Sequence, residues 1–166
     1  MKIERYYLEI SSVESLKEVS SPNLNLQLEK IVKPNIEINK FFYKNVGKNH
    51  NWVDRLSWDN LKWISYLENN KVNTYVLKLK SDLVGYFEVI QDNSSKTTEI
   101  AYFGLLKEYI GKKFGGYLLS EAIKECFDLS SNKVWVHTCT LDHDHALKNY
   151  IGRGMKIFKT ETINVV

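Results

Sequence analysis

A change of hydrophobic period between residues 97 and 139 constrains the fold more than any other feature of the chain. The segments TTEIAYFGL (97–105) and KVWVHTCT (133–140) each predict a strand, along which successive side chains point to opposite faces. Between them, apolar residues recur at helical spacing: Phe114, Leu118, Ala122, Ile123, Cys126 and Phe127. A strand, a helix over 114–128 and a strand form a βαβ unit, which predicts that the two strands run parallel.

Two more alternating segments come directly before this unit. They are NTYVLKLK (73–80) and LVGYFEVIQ (83–91), and a short turn follows each of them. Three consecutive strands joined by short turns predict an antiparallel meander. Together with the βαβ unit, this predicts an α+β fold in which helices pack on a mixed sheet.

The N-terminal part has a weaker pattern. Residues 1–34 predict short extended pieces, and residues 35–46 have the spacing of a helix that Gly47 ends. An aromatic and polar loop follows, after which Ser57 or Asp59 would cap a short helix through Leu67.

The composition excludes several classes of protein. A chain of 166 residues fits one domain, and a net charge of +3 from 23 basic and 20 acidic residues is too balanced to indicate a nucleic-acid partner. No run approaches the roughly 20 apolar residues that span a membrane, and the start of the chain lacks the apolar segment of a signal peptide. Two cysteines do not make a disulfide framework in a chain of this length, which favours a cytoplasmic location.

The segment YIGKKFGGYLL (109–119) is an unusual helix start, because it places three glycines and two adjacent lysines there. The first turn of a helix has backbone N–H groups without intrahelical partners, and the helix dipole adds partial positive charge. Gly111, Gly115 and Gly116 would let a ligand approach those N–H groups, which predicts a phosphate site. The alternative is an ordinary surface helix start, since the segment matches neither a P-loop nor G-x-G-x-x-G.

The segment EIAYFGLLKEYIGKKFGGYLLSEAI (99–123), followed by VWVHTCTLDHDHALKNYIGRGM (134–155), resembles the GNAT superfamily of N-acetyltransferases. It is also similar to bacterial GNAT-like proteins with unassigned acceptors. The resemblance covers about residues 35–160. It implies one acetyltransferase-like domain (1–166) with a mostly antiparallel mixed sheet, helices on both faces and a parallel βαβ cofactor unit. A strand and helix part (1–70) would precede the acetyl-CoA-binding core (71–166).

What the resemblance implies for the cosubstrate is an acetyl-CoA site in a V-shaped opening between strands 97–105 and 133–139. The pantetheine arm would pair with the backbone of Phe103, Gly104 and Leu105, Gly104 being a position of close backbone approach and often of a bulge. The other candidate cofactor-binding residues are Ile110, Gly111, Lys112, Lys113, Phe114, Gly115, Gly116, His143 and Asn149.

The loop departs from the family pattern [QR]-x-x-G-x-[GA] at two positions. Ile110 stands where Gln or Arg is expected, and Lys113 stands where the first Gly is expected. A positive φ at Lys113 would cost about 1 kcal/mol or more, unless Gly111 takes that conformation instead. His143 stands where many members have Asn, and Asn149 is an open alternative for that role.

The resemblance implies acetyl transfer to a small-molecule or peptide amine, which needs a base at neutral pH. Glu99 resembles the general base of the histone-acetylating branch, and by alternation it would share an apolar face with Ala101 and Phe103. Glu88 is the alternative base, through a water. Tyr150 matches the family tyrosine that would protonate the departing thiolate, with backbone N–H groups near Gly104 stabilising the oxyanion. Without the resemblance, a solvated strand-end carboxylate explains Glu99 equally well, and a packing tyrosine explains Tyr150 better than a catalytic one.

The segment LDHDH (141–145) suggests a metal, but its spacing matches no zinc pattern, so we predict none. Asp142 would instead cap a last helix over 143–152, and Cys139 would be a core thiol rather than a nucleophile. The loop that covers the acceptor end in such folds contains the aromatic and charged residues Phe42, Tyr43, His50, Trp52, Asp54 and Arg55.

Two alternatives to an acetyltransferase remain open. One is a CoA-binding regulatory or interaction domain without turnover, and the other is a module that binds nucleotide phosphates without preferring CoA. The resemblance also allows a homodimer.

Overall fold

The computed structural model describes residues 1–165, within which seven strands form one sheet and four α-helices pack on it. The strands are β1 Lys2–Ile10, β2 Leu26–Lys30, β3 Val72–Leu79, β4 Asp82–Asp92, β5 Thr97–Leu105, β6 Lys133–Cys139 and β7 Lys156–Asn164. The helices are α1 Ile36–Gly47, α2 Asn60–Leu67, α3 Phe114–Asp128 and α4 Ala146–Gly152. The strand order is β2-β3-β4-β5-β6-β1-β7.

This architecture confirms the predicted α+β fold. Strands β3, β4 and β5 form the antiparallel meander, and β5 and β6, which α3 connects, are parallel. The other strand pairs in the described sheet are antiparallel.

The N-terminal strand β1 lies between β6 and β7 and pairs antiparallel with both of them. Its alternation buries Leu8 and Ile10 in the main core, while Arg5 and Tyr7 point to the opposite face, where they approach Glu161 of β7. The sequence pattern predicts an extended segment here but not its neighbours. Strand β1 is therefore the element that joins the end of the chain to the rest of the sheet.

The helices cover both faces of the sheet, as the resemblance implied. On one face, Leu118 and Ile123 of α3 pack in a core that includes Phe87 of β4 and Val134 of β6. On the other face, α1 and α2 cover β3, β4 and β5, and the ring of Phe42 stacks on Tyr86 at 4.7 Å between centroids. None of the helices within residues 1–165 is long and apolar enough to cross a membrane.

One of the two predicted helix caps is confirmed. Of Ser57 and Asp59, it is Asp59 that caps α2, and its Oδ1 accepts a hydrogen bond of 2.8 Å from the amide of Lys62. The prediction for Asp142 is wrong, because α4 begins only at Ala146. Asp142 instead accepts hydrogen bonds from the Thr138 hydroxyl and the Cys139 amide, which close the turn after β6.

Candidate functional site

A large cavity opens where β5 and β6 separate. The two strands pair only from Thr97 to Glu99 on β5, opposite Lys133 to Trp135 on β6, and diverge beyond that point. The resulting V-shaped cavity has a volume of about 1110 Å³. Its walls come from β5, β6, the start of α3, α4 and the loop between α1 and α2. On the open side, β5 has no β6 partner beyond Glu99, so its backbone there is available to a ligand.

A bulge in β5 changes which residues share a face of the sheet. Glu88 of β4 lies opposite Tyr102 and Val89 lies opposite Ile100, so Ala101 is the extra residue. Phe103 packs with the α3 core, whereas Tyr102 packs under α1. The predicted shared face of Glu99, Ala101 and Phe103 is therefore wrong, since the bulge breaks the alternation between Glu99 and Phe103.

Gly104 is the position of close backbone approach that the sequence predicted, although the bulge lies at Ala101. A Cβ on Gly104 would lie 2.3 Å from Cγ1 of Val46 on α1. Phe103, Gly104 and Leu105 all line the cavity, as predicted for residues along the pantetheine arm.

The start of α3 exposes its first-turn amides to the cavity. Gly111 and Lys113 both have positive φ, at 85° and 68°, so the lysine adopts the strained conformation and Gly111 does not replace it. Within residues 1–165, the amides of Phe114, Gly115 and Gly116 donate to no protein acceptor. A Cβ on Gly115 would lie 3.7 Å from Asn149 Nδ2 and project into this cradle.

Five of the predicted loop residues line the cavity: Ile110, Gly111, Lys113, Gly115 and Gly116. The side chains of the other two point elsewhere. The ammonium group of Lys112 lies 5.8 Å from the Tyr109 ring centroid, and Phe114 is buried in the main core. The side chains of Lys112 and Phe114 therefore do not line the cavity, and contacts of these two residues with the cofactor through their backbone amides remain a prediction.

Two basic residues that the sequence analysis did not select also line this end of the cavity. They are Lys148 and Arg153, and Arg153 Nη1 lies against the position that a Cβ of Gly116 would take. The segment KNYIGRG (148–154), which contains Tyr150, holds both of them. With Lys113, they give the cavity three cationic side chains, which suits a phosphate ligand.

Asn149 connects α4 to α3. Its Nδ2 donates to the carbonyl oxygen of Gly115 at 3.1 Å, and its Oδ1 accepts from Arg153 Nη1 at 3.4 Å. His143 lies elsewhere on the cavity wall, where its ring is 6.1 Å from that of His50. Asn149 thus links the start of α3 to α4. His143 and His50 instead pack against each other where two loops meet at the cavity wall.

Tyr150 lines the cavity beside Phe103, with 6.3 Å between the ring centroids. Burial raises the pKa of the phenol above its ordinary value, and the nearby charge of Asp142 raises it further. Its hydroxyl has no hydrogen-bond partner within the described part of the chain. Tyr150 is therefore a protonated, unpaired donor facing the cavity.

Glu99 lines the same cavity at the point where the strands separate. Burial raises the pKa of this carboxyl group, and the charge of Arg55 opposes part of that increase. Its nearest cationic candidate is His137 Nε2 at 3.9 Å, but burial and Arg5 lower the pKa of His137 and favour the neutral imidazole. Glu99 is thus a carboxylate without a strong partner.

Glu88, the alternative base, is in a different environment. It is fully buried, does not line the cavity and accepts hydrogen bonds from Arg55, Asn39 and Tyr66. Its carboxylate oxygens are occupied by these donors, and it does not line the cavity where an acceptor would bind. The geometry therefore does not support Glu88 as the base.

The loop between α1 and α2 forms the far wall of the cavity. Five of the six residues predicted at the acceptor end line the cavity: Tyr43, His50, Trp52, Asp54 and Arg55. Phe42 does not, because it is buried against Tyr86.

Within residues 1–165 no cluster of side chains is suited to hold a metal ion. Burial raises the pKa of the Cys139 thiol, which disfavours a nucleophilic thiolate.

Comparison with known proteins gives one family. The model of the Acetyltransferase (GNAT) family matches residues 36–155. No curated protein matches the chain significantly.

Several solved structures share the fold. A GCN5-related N-acetyltransferase from Kribbella flavida is 14% identical with a TM-score of 0.67, over 96% of this chain and 56% of that one. Another from Sphaerobacter thermophilus is 14% identical with a TM-score of 0.71, over 95% of this chain and 49% of that one. An aminoglycoside acetyltransferase from an uncultured soil metagenomic sample is 15% identical with a TM-score of 0.66, over 80% of this chain and 90% of that one. The chain thus spans about half the length of the first two.

Proposed function

Because the chain belongs to the GNAT acetyltransferase family, we propose that it transfers an acetyl group from acetyl-CoA to an amine by direct attack in a ternary complex. The observation that carries this proposal is the cavity between β5 and β6, which brings the glycine cradle, Glu99 and Tyr150 to one site. The acceptor would be a small molecule or a peptide, and a homodimer remains a prediction.

The residues at the start of α3 fit the diphosphate of CoA. Within residues 1–165 the amides from Phe114 to Gly116 have no protein acceptor, and Lys113, Lys148 and Arg153 add positive charge to the cavity that these amides face. Beside this cradle, the unpaired edge of β5 would hold the pantetheine arm as an added strand does. The acetyl group would then lie near the point where β5 and β6 meet.

At that point Glu99 would remove a proton from the acceptor ammonium group, because only the neutral amine can attack. The attack forms a C–N bond at the acetyl carbon and breaks the C–S bond. Tyr150 would donate a proton or a hydrogen bond to the departing sulfur, which the raised pKa of the phenol keeps available at neutral pH. Amides near Gly104 would stabilise the negative oxygen.

The test is calorimetric titration with acetyl-CoA, with ATP and NAD as controls, on the wild type and on Gly115→Glu. A Cβ at Gly115 makes only ordinary van der Waals contacts and the added carboxylate brings negative charge into the cradle, so we expect a folded variant that does not bind acetyl-CoA. Gly152→Glu is the control, because Gly152 has open space around its Cβ position and does not line the cavity.

Thiol release with a library of amines then separates the candidate functions. Selective acetyl-CoA binding with thiol release supports the acetyltransferase. Binding without thiol release favours a CoA-binding domain without turnover, and equal binding of ATP or NAD favours a nucleotide-phosphate module. Failure of the wild type to bind acetyl-CoA would reject the proposal.

A further inference from the structure

Arg55 is a buried cation at the acceptor end of the cavity. It is 6% exposed, and its guanidinium carbon lies 4.1 Å from the Tyr102 ring centroid and 4.2 Å from that of Tyr66. The ring of Trp58 is 4.8 Å away. A delocalised, planar cation suits such aromatic surroundings, which fix its orientation.

Among residues 1–165, only one nitrogen of the guanidinium donates a hydrogen bond to another residue. Nη1 donates to both carboxylate oxygens of Glu88, at 2.9 and 3.1 Å. Burial alone lowers the pKa of Arg55, yet Glu88 and its neighbours outweigh that effect and keep it charged. Asn39 and Tyr66 also donate to Glu88, so the negative charge is shared among three residues.

The other two nitrogens of Arg55 are free. Within residues 1–165, Nε and Nη2 donate to no acceptor. Neither atom is fully enclosed by protein. Since Arg55 lines the cavity, these donors are accessible from it. A desolvated guanidinium with unused N–H groups is a site for a planar anion, above all a carboxylate.

The opposite charge lies in the same cavity. Glu99 lines it and feels the charge of Arg55, which shows that the two groups are within electrostatic reach. A zwitterion that carries an ammonium group and a carboxylate matches this pair, with the ammonium at Glu99. The aromatic rings of Tyr43 and Trp52 on the same wall would contact an apolar side chain.

We propose that Arg55 binds a carboxylate of the acceptor, which makes the acceptor an amino acid or another amine with a nearby carboxylate. This inference rests on the proposed acetyl transfer and names the substrate class of that site. Arg55 is then a specificity-determining residue rather than part of the buried framework alone.

The experiment compares matched acceptors that differ only in the carboxylate. Thiol release is measured with phenylalanine, leucine and methionine, each against its own amide. A hydrogen-bonded ion pair is worth roughly a tenfold to hundredfold difference in kcat/KM in favour of the free acid. Equal use of the acids and the amides would overturn the inference and leave acetyl transfer standing.

Two variants assign this preference to Arg55. Arg55→Lys keeps a positive charge beside Glu88 and should shrink the preference for the acid. The double variant Arg55→Gln/Glu88→Gln leaves no unpaired buried charge and should abolish it. Lys62→Ala is the matched control, because Lys62 lies 5.0 Å from the Trp58 ring but does not line the cavity. Thermal unfolding checks that each variant is folded.

A binding arm keeps the two proposals distinguishable. Each acid and amide is titrated into the protein saturated with CoA. Tighter binding of the acids, lost in the double variant, supports the role of Arg55 even if no amine is acetylated and the proposed acetyl transfer fails. If neither member of a pair binds or reacts, or if both bind equally, the carboxylate site is rejected.

Discussion

At the scale of single residues, two glutamates show how environment assigns different roles to the same side chain. Glu88 is saturated with donors behind the wall of the cavity, whereas Glu99 lines it with only a distant, neutral imidazole beside it. A general base must reach the proton of the acceptor, and of the two carboxylates only Glu99 lines the cavity where the acceptor would bind.

For Glu99 we expect a pH dependence with a defined sign. Burial raises the pKa of the carboxyl group, so protonated Glu99 persists above the ordinary value of about 4.3. The rate constant kcat should rise with pH as Glu99 ionises, with the acidic limb above that value. Glu99→Gln should lower kcat about 10²- to 10⁴-fold and remove this limb, which a pH profile of thiol release measures.

The control for this prediction is Glu9→Gln, a strand carboxylate that pairs with Lys133 at 3.1 Å and does not line the cavity. Its profile should match the wild type. An acidic limb that survives in Glu99→Gln would show that another group is the base.

Tyr150 is the second residue with a testable role. Removing the hydroxyl in Tyr150→Phe leaves the ring packed beside Phe103 but deletes the donor, so kcat should fall at least about tenfold. The dissociation constant for acetyl-CoA, measured by calorimetry, should change little. Tyr117→Phe on α3 is the control outside the cavity. If binding and turnover weakened equally, Tyr150 would be a packing residue for the cosubstrate.

At the scale of elements, the contact between α1 and β5 sets one wall of the cavity. The backbone at Gly104 lies so close to Val46 that a methyl group would meet its Cγ1 at 2.3 Å. Gly104→Ala should therefore reduce the free energy of unfolding by about 1–3 kcal/mol through overpacking, as urea denaturation would measure.

The companion variant identifies the cause. Val46→Ala removes the obstructing methyl groups, so the double variant Gly104→Ala/Val46→Ala should be more stable than the sum of the two single effects predicts. Strict additivity would mean that the cost of Gly104→Ala comes from the backbone of β5 rather than from α1.

Most elements of the fold could be predicted, because their patterns are local. The bounds of β5 and α3 match the prediction, because the residue pattern of the chain changes from that of a strand to that of a helix between them. The bulge at Ala101 could not be predicted, because it depends on the register against β4. The late start of α4 could not be predicted either, because Asp142 accepts hydrogen bonds from Thr138 and Cys139 in the preceding turn instead of capping the helix.

The candidate site was predictable to the same extent. The glycines of the cradle and Tyr150 stand in sequence motifs, and the structure brings them to one cavity. The ion pair of Arg55 with Glu88 joins a loop to a distant strand, and no local pattern indicates such a partner. For the same reason, the sequence could not decide between Glu88 and Glu99.

At the scale of the whole molecule, β1 determines whether the sheet is continuous. Within the described residues, β7 pairs with β1 alone, and β1 connects it to β6. The sequence predicts short extended pieces within residues 1–34, but such a pattern does not specify which strands they pair with. The chain thus completes its sheet only when its first strand inserts between two strands from its C-terminal end.

This topology makes Leu8 a test of the whole fold. Leu8 is fully buried in the main core, beneath the pairings of β1 with β6 and β7. Leu8→Ala should reduce the free energy of unfolding by about 2–5 kcal/mol, because it leaves a cavity at the centre of that core. Leu24→Ala, at a fully exposed leucine, should change it by no more than about 0.5 kcal/mol. Urea denaturation followed by circular dichroism measures both. Because β1 joins β7 to β6, hydrogen exchange in Leu8→Ala should accelerate in β6 and β7 together. Faster exchange confined to residues 2–10 would show that the C-terminal strands hold without it.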